Sequence, residues 1–324
     1  MTLKIGVIGT GVMGKNYIRV LSGLQDRCRL TGVFDIDCKK AAGIAGDYEI
    51  QAFSNLAGLL QSVDAAIVAV PVFDHYQVAK QCLENGIHIL VEKPITATVE
   101  QGERLRELAR DKNRKLQVGH IELFNPTIRV LKNIMQQEEV IAVDIHRLSP
   151  FEERVKNIDV IMDTMIHDLY ILSYLSGLVP VSFTAYGSRL HEQLDHVVAT
   201  FQFANGMLAT LTASLVTEEK VRTIHAVTKK AYIRADLLDK KILISRSTNF
   251  FLSNRDADYK QQNIVEKVIV PAYEPLREQL LHFIDCIEND KTPIVSAKEG
   301  LDTLRMAEAV KQSIIKYAGK GSEQ

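Results

Sequence analysis

Along the first third of the chain, short apolar runs alternate with stretches whose apolar positions recur three and four residues apart. Lys4–Ile8, Arg29–Phe34, Glu49–Phe53, Asp64–Val70, Ile87–Val91 and Lys115–Gly119 read as strands. Asp64–Val70 is a nearly unbroken apolar run, as expected of a strand covered on both faces. Between the strands the pattern predicts helices over about Gly14–Leu24, Lys39–Gly46 and Asn55–Gln61, the last capped by Ser54. A further helix begins at Asp74 and is closed by Gly86, and another is capped by Thr98 with Gln101 and runs to about Asn113. Such alternation predicts a doubly wound parallel sheet over residues 1–120. The pattern then changes. Asn125-Pro126 opens an amphipathic helix to about Gln137, Val140–Arg147 reads as a strand, and a strongly apolar helix spans about Asp159–Leu175 before Gly177. From Val181 to Val270 strands and turns dominate, with a hairpin turn at Ala204-Asn205-Gly206. Pro275–Asn289 and Ala297–Tyr317 close the chain as helices, so residues 121–324 are expected to form an α+β domain on one antiparallel sheet.

The first strand runs into Gly9, Gly11 and Gly14, the G-x-G-x-x-G spacing, with Val12 and Met13 between the last two. In a strand–turn–helix setting the first glycine makes the tight turn, the second lets a pyrophosphate approach the backbone, and the third lets helix and strand pack closely. The helix start turns its amides and positive dipole end toward the phosphates. Asp35 ends the second strand, where a carboxylate accepts both hydroxyls of an adenosine ribose. A 2′-phosphate would be repelled there, and no Arg follows at Ile36 or Asp37, so NAD is favoured over NADP; Lys39 and Lys40 keep dual use open.

Bulk properties narrow the field. At 324 residues the chain is long enough for two cores. A formal net charge of −1 removes the global basic field expected of a nucleic-acid or acidic-membrane binder. No apolar stretch is long enough to span a bilayer, and the N-terminus leads straight into strand one. The four cysteines are scattered without C-x-x-C, which fits a reducing cytoplasm, and the nine histidines lack H-E-x-x-H spacing, so no metal is expected.

Two further segments carry chemistry. Glu92-Lys93-Pro94 directly follows strand five of a parallel sheet, whose carboxyl ends surround the ligand site. Pro94 disfavours helix at Lys93 and holds it extended or in a turn. On the apolar helix, Asp163 and His167 stand four residues apart and share a face. They form either a hydrogen-bonded core pair or a base oriented for proton transfer. Asp168 is turned away from Asp163 and reads as a helix-surface or intersubunit residue.

Gly9, Gly11, Gly14, Asp35, the Pro71-x-x-x-His75 segment, Glu92-Lys93-Pro94 and Asp163 with His167-Asp168 together resemble the Gfo/Idh/MocA oxidoreductase family, over nearly the whole chain. The resemblance implies an N-terminal Rossmann domain and a C-terminal open sheet that builds homodimers or homotetramers. It places the catalytic group on Lys93, Asp163 and His167, and the cofactor on Gly9, Gly11, Val12, Met13, Gly14, Asp35, Pro71, His75, Glu92 and Lys93. These residue types suit oxidation of a secondary alcohol. Neutral His167 takes the hydroxyl proton, ammonium Lys93 stabilises the developing alkoxide and favours the neutral imidazole, and Asp163 orients the pair.

Gln117–Pro126, Ser149–Arg154 and Asp163–Asp168 resemble more narrowly the subgroup that oxidises UDP-N-acetylglucosamine at the sugar 3-position. That subgroup usually has Arg where this chain has Leu123, and often Leu where it has Thr164. His120 and Asn125 are candidates for sugar hydroxyls, and Arg147 and Arg154 either pair with a diphosphate or are ordinary surface arginines. The alternatives are an inositol or free-sugar dehydrogenase, an NAD-dependent glycosidase, and a non-catalytic NAD-binding regulator.

Overall fold

The computed structural model describes residues 2–151, 159–250 and 260–318. The chain forms two compact units, Met1–Ile121 with Glu274–Arg305, and Glu122–Tyr273 with Met306–Gln324.

The first unit is built on six parallel strands, β1 (Leu3–Ile8), β2 (Cys28–Phe34), β3 (Gln51–Ala52), β4 (Ala65–Val68), β5 (His88–Glu92) and β6 (Leu116–Gly119). Their order, β3-β2-β1-β4-β5-β6, reverses direction between β1 and β4, the switch point where such sheets take their ligands. Helices α1 (Val12–Ser22), α2 (Cys38–Asp47), α3 (Leu56–Leu60), α4 (Val72–Glu84) and α5 (Val99–Asp111) follow successive strands. Thr98 caps α5 as expected, its hydroxyl accepting Gln101 N at 3.3 Å. The cap of α3 is Asn55 rather than Ser54; its side-chain oxygen accepts Gly58 N at 2.8 Å. Helix α4 starts before Asp74, at Val72, with Pro71 at the cap.

Helix α8 (Pro275–Glu288), which the sequence places with the second domain, belongs to the first unit. Its Leu276, Leu280, Phe283 and Ile284 form one apolar stripe and lie in the same core as Tyr17, Ile18 and Leu21 of α1. Each such side chain contributes roughly 1.5–3 kcal/mol on burial, so this helix is a structural part of the unit.

The second unit carries eight strands, β7 (Val140–Leu148), β8 (Pro180–Ser188), β9 (His196–Phe203), β10 (Leu208–Ser214), β11 (Val221–Thr228), β12 (Tyr232–Asp236), β13 (Lys241–Phe250) and β14 (Lys260–Val268). The order is β14-β13-β12-β11-β7-β10-β9-β8, antiparallel except where β7 meets β10. The β9–β10 hairpin turns at Gly206, whose φ of 85° favours glycine. Helix α6 (Pro126–Met135) packs with α7 (Ile166–Ser176), and α9 (Ala297–Ala318) ends the described chain. The expected single helix over 159–175 is interrupted. Ile161–Met165 winds as a π-helical turn before α7 begins, and Gly177 closes α7 at φ 68°.

Candidate active site

In the first unit the glycine turn divides its work as the spacing predicts. Gly9 has φ 93°, and a Cβ there would lie 2.4 Å from Ala69 O. A Cβ on Gly14 would lie 1.9 Å from Gly9 O, so helix and turn approach too closely for any side chain. At Gly11 a Cβ would meet nothing within 4 Å, leaving open space beside the first amides of α1. Val12 is exposed and Met13 half-buried next to it. This is the shape of a phosphate cradle.

Asp35 is fixed beside the cradle. Its Oδ2 accepts both Thr10 N at 2.6 Å and the Thr10 hydroxyl at 2.7 Å, and its Oδ1 accepts Asp37 N at 2.9 Å. Burial alone would raise this carboxyl, but the hydrogen bonds from Asp37 and Thr10 outweigh it and hold it below its ordinary value. Asp35 is therefore an oriented anion with acceptor capacity remaining on Oδ1, as a ribose diol requires. Thr10 carries no pattern signal in the sequence, and its role was missed there.

Lys93 follows β5, half-buried, and its peptide with Pro94 is cis. The preceding Glu92 points inward. Its carboxylate accepts the Tyr17 hydroxyl at 2.7 Å and Lys93 N at 3.1 Å, while the Gln279 amide lies 3.1 Å from the same hydroxyl. Burial pushes the Glu92 carboxyl above its ordinary value. Glu92 thus links α1 to the Lys93 backbone, and the Tyr17 hydroxyl extends the link to α8. His75, 1% exposed, directs Nδ1 to Pro94 O at 2.8 Å and Nε2 to Val70 O at 3.0 Å. It ties the Val70–Pro71 bend to the Lys93 turn, and Pro71 itself is exposed at the cap of α4. His120 directly follows β6 and is buried. Burial, then the Lys93 charge, depress it to about 3, so it stays neutral near neutral pH.

In the second unit, Asp163 sits in the π-helical turn and His167 in the first turn of α7, both half-buried. Asp163 Oδ2 accepts the Thr164 hydroxyl at 3.0 Å. A π turn is often found at functional sites, and apolar periodicity cannot announce one. Asp168 corrects the surface or intersubunit expectation. It is 1% exposed, and its Oδ1 accepts Arg147 Nε at 2.8 Å. Arg147 is equally buried and also donates to Glu122 Oε1 at 3.2 Å, so it is no surface residue and its charge is already matched. Arg222 of β11 donates to the same Glu122 oxygen at 3.0 Å. The two arginines draw Glu122 below its ordinary value against the cost of burial. Burial raises Asp168 to about 6, with Arg147 opposing.

Asn125 has a structural task. It caps α6 through Thr127 N at 3.0 Å and donates its amide at 3.4 Å to Leu237 O and to Glu122 Oε2. These contacts engage both ends of its amide, leaving it poorly placed for a sugar hydroxyl. Arg154 lies outside the described residues.

Residues 3–120 match the family model described as "Oxidoreductase family, NAD-binding Rossmann fold", and residues 138–316 match the companion model for its C-terminal alpha/beta domain. The UDP-N-acetylglucosamine 3-dehydrogenase of Acidithiobacillus ferrooxidans is 32% identical over 75% of this chain and 76% of its own. A solved structure of that enzyme superimposes with a TM-score of 0.87 at 28% identity, covering 97% of this chain and 98% of the other. An inositol 2-dehydrogenase of Saccharopolyspora erythraea is 32% identical over 58% of each chain.

Proposed function

The chain belongs to the Gfo/Idh/MocA oxidoreductase family, and from that footing we propose that it oxidises the 3-hydroxyl of UDP-N-acetylglucosamine or a close relative with NAD. The cofactor choice is supported by Asp35, an ionised carboxylate clamped by Thr10 and Asp37, which can accept a ribose diol and would repel a 2′-phosphate. The substrate choice is carried by the likeness to the Acidithiobacillus enzyme over three quarters of the chain.

Bound NAD would supply the hydride acceptor, its pyrophosphate against Gly9, Gly11 and the first amides of α1 and its adenosine ribose at Asp35. The chain's own residues polarise the alcohol and move its proton. Lys93 as ammonium donates to the reacting oxygen and stabilises the charge that develops on it. Glu92 and His75 fix the backbone from which Lys93 projects. His167 accepts the hydroxyl proton, and Asp163 orients it. His120, buried and neutral beside the Lys93 charge, is a sugar-hydroxyl partner.

The open face of the second unit's sheet presents Tyr186, Leu208, Val227, Tyr232 and Val265, which the strand register puts on one side and which are all exposed. We assign this face to a second copy of the chain in a homodimer or homotetramer. Among the described residues no helix is long and apolar enough to cross a membrane, in keeping with a cytoplasmic setting.

The test is reduced-cofactor formation across nucleotide sugars, free sugars and inositols, with NAD and with NADP. Mass spectrometry of the UDP-N-acetylglucosamine reaction should find a product two hydrogens lighter. Turnover of an inositol or a free hexose in its place would exclude the nucleotide sugar, and release of a free sugar without net reduced cofactor would indicate glycoside cleavage.

A further inference from the structure

A nucleotide-sugar substrate brings a diphosphate, and the cation to meet it is sought among the second unit's arginines. Arg147 is excluded by its surroundings, since it is 5% exposed and shared between Asp168 and Glu122. Arg222 stands directly across the β7–β11 ladder from Arg147, in register, so the two side chains leave the sheet on the same face. Its situation differs in three ways. Its side chain is 33% exposed. Among the described residues it makes a single hydrogen bond, from Nη1 to Glu122 Oε1, so Nε and Nη2 have donors left over. Its counter-ion is shared, because that same oxygen also serves Arg147. Arg222 is thus the under-neutralised cation of the cluster. Burial and the Arg147 charge push its pKa down, and Glu122, Asp168 and Asp163 hold it up, which puts Asp163 within its electrostatic reach.

A guanidinium with a free edge matches a phosphate oxygen pair in a way an ammonium does not. A cation crowded by a second arginine also gains from an arriving anion. We propose that Arg222 is a substrate-binding residue that receives the diphosphate of the nucleotide sugar, with Arg147 as the fixed charge behind it. This rests on the nucleotide-sugar assignment above and narrows it to one side chain. It also differs from the sequence expectation, which named Arg147 and Arg154.

The experiment is calorimetric titration of UDP and of UDP-N-acetylglucosamine into the NAD-saturated enzyme, wild type against Arg222→Met and Arg222→Lys, with melting temperature and NAD affinity measured alongside. Loss of a hydrogen bond to a charged group, about 1.5–3 kcal/mol, corresponds to a rise of roughly 10–100-fold in Kd for both ligands in Arg222→Met. Arg222→Lys should recover part of the loss, and KM for the nucleotide sugar should rise by more than kcat falls. Unchanged UDP binding in Arg222→Met overturns the proposal. So does a loss of UDP and NAD affinity together with a fall in melting temperature, which would mark Arg222 as a structural ion-pair residue. Should Arg222→Met not fold, Arg222→Lys decides, because full UDP affinity without the planar fork would exclude bidentate recognition. If wild type binds an inositol and neither uridine ligand, the nucleotide-sugar assignment itself is wrong and Arg222 has no diphosphate to receive.

Discussion

Both units satisfy buried polar groups through backbone hydrogen bonds, Asp195 of the second unit accepting Leu190 N and His191 N at 2.8 Å, but only the second buries an arginine–carboxylate network. In the first, buried titratable groups sit in neutral or backbone-bonded settings. His75 is held between two carbonyls, His120 is depressed to about 3, and Glu92 is raised; half-buried His88 likewise accepts Lys115 N at 2.9 Å on Nδ1. In the second, Arg147 and Asp168 are buried as a close pair of opposite charge, with Glu122 and Arg222 extending the network. The difference follows from what each unit must hold. A parallel sheet with helices on both faces is shielded from water, and there a neutral ring bonded to a carbonyl is buried at little cost. The second unit must fix the start of α7, which carries His167, onto a sheet, and a charge pair with directional hydrogen bonds does that. The lesson is that a buried charge network specifies geometry at some expense of stability, whereas neutral hydrogen bonding loses less when one partner is removed.

The largest expected effect breaks the charged side of this contrast. Arg147→Met leaves Asp168 and part of Glu122 uncompensated in the interior, which should destabilise by about 3–5 kcal/mol. Chemical denaturation measures it. Tyr17→Phe, which removes one hydrogen bond to Glu92 in the first unit, should cost only about 1–2 kcal/mol. Equal losses in the two variants would dissolve the distinction.

Next comes the division of catalysis. On the proposal that its ammonium acts on the substrate oxygen, Lys93→Met should lower kcat about 10²–10³-fold with NAD affinity nearly intact. His167→Ala should remove the rising limb of the pH–rate profile for oxidation. If the first unit's ammonium and the second unit's base serve one proton transfer, the double variant will be little worse than the worse single one. Additive losses would mean that they act in separate steps.

The smallest effect is in pH. The folded pKa values of His88, about 4, and His120, about 3, lie below the ordinary histidine value. Their contribution to stability is present above about pH 6.5 and is lost as pH falls toward those values. Asp168 runs the other way. Raised to about 6, it favours the protonated form in the fold, so its contribution is complete below about pH 3.9 and is lost as pH rises through 6. Melting temperature against pH should therefore flatten on the acid side in His120→Gln and lose its decline between about pH 4 and 6 in Asp168→Asn. Parallel profiles for both variants would contradict the opposed assignments.

How much of this was legible in the sequence depends on the range of the interaction. Gly9, Gly11 and Gly14 were readable because their spacing is local and Gly14 packs against Gly9 O five residues before it, whereas the second constraint on Gly9, the approach of Ala69 O, comes from sixty residues away and left no mark in the motif. Thr98 was readable as a cap for the same reason, while Ser54 and Asn55 stand side by side as equally good cap types, and only the backbone decides between them. Asn125 was marked as a possible sugar ligand on resemblance, though its neighbour Pro126 at the start of a helix already fitted a cap. The fate of Arg147 could not be read. A surface arginine and a buried one look alike until a carboxylate 21 residues away and another 25 away are brought to it. The π-helical turn before α7 was hidden for a different reason, since in a segment with apolar residues on every face the inserted residue leaves no break in the apolar pattern.

The return of α8 to the first core has a consequence for synthesis. The cradle strand, the glycine turn and Asp35 all precede the second sheet along the chain, yet the core beneath α1 lacks Leu276, Leu280, Phe283 and Ile284 until that sheet has been translated. The nascent first unit must wait with apolar surface uncovered while the entire second sheet is translated. A truncated product ending in the second sheet would never acquire its missing helix, and the cell's proteases and chaperones would meet it as an unfinished protein.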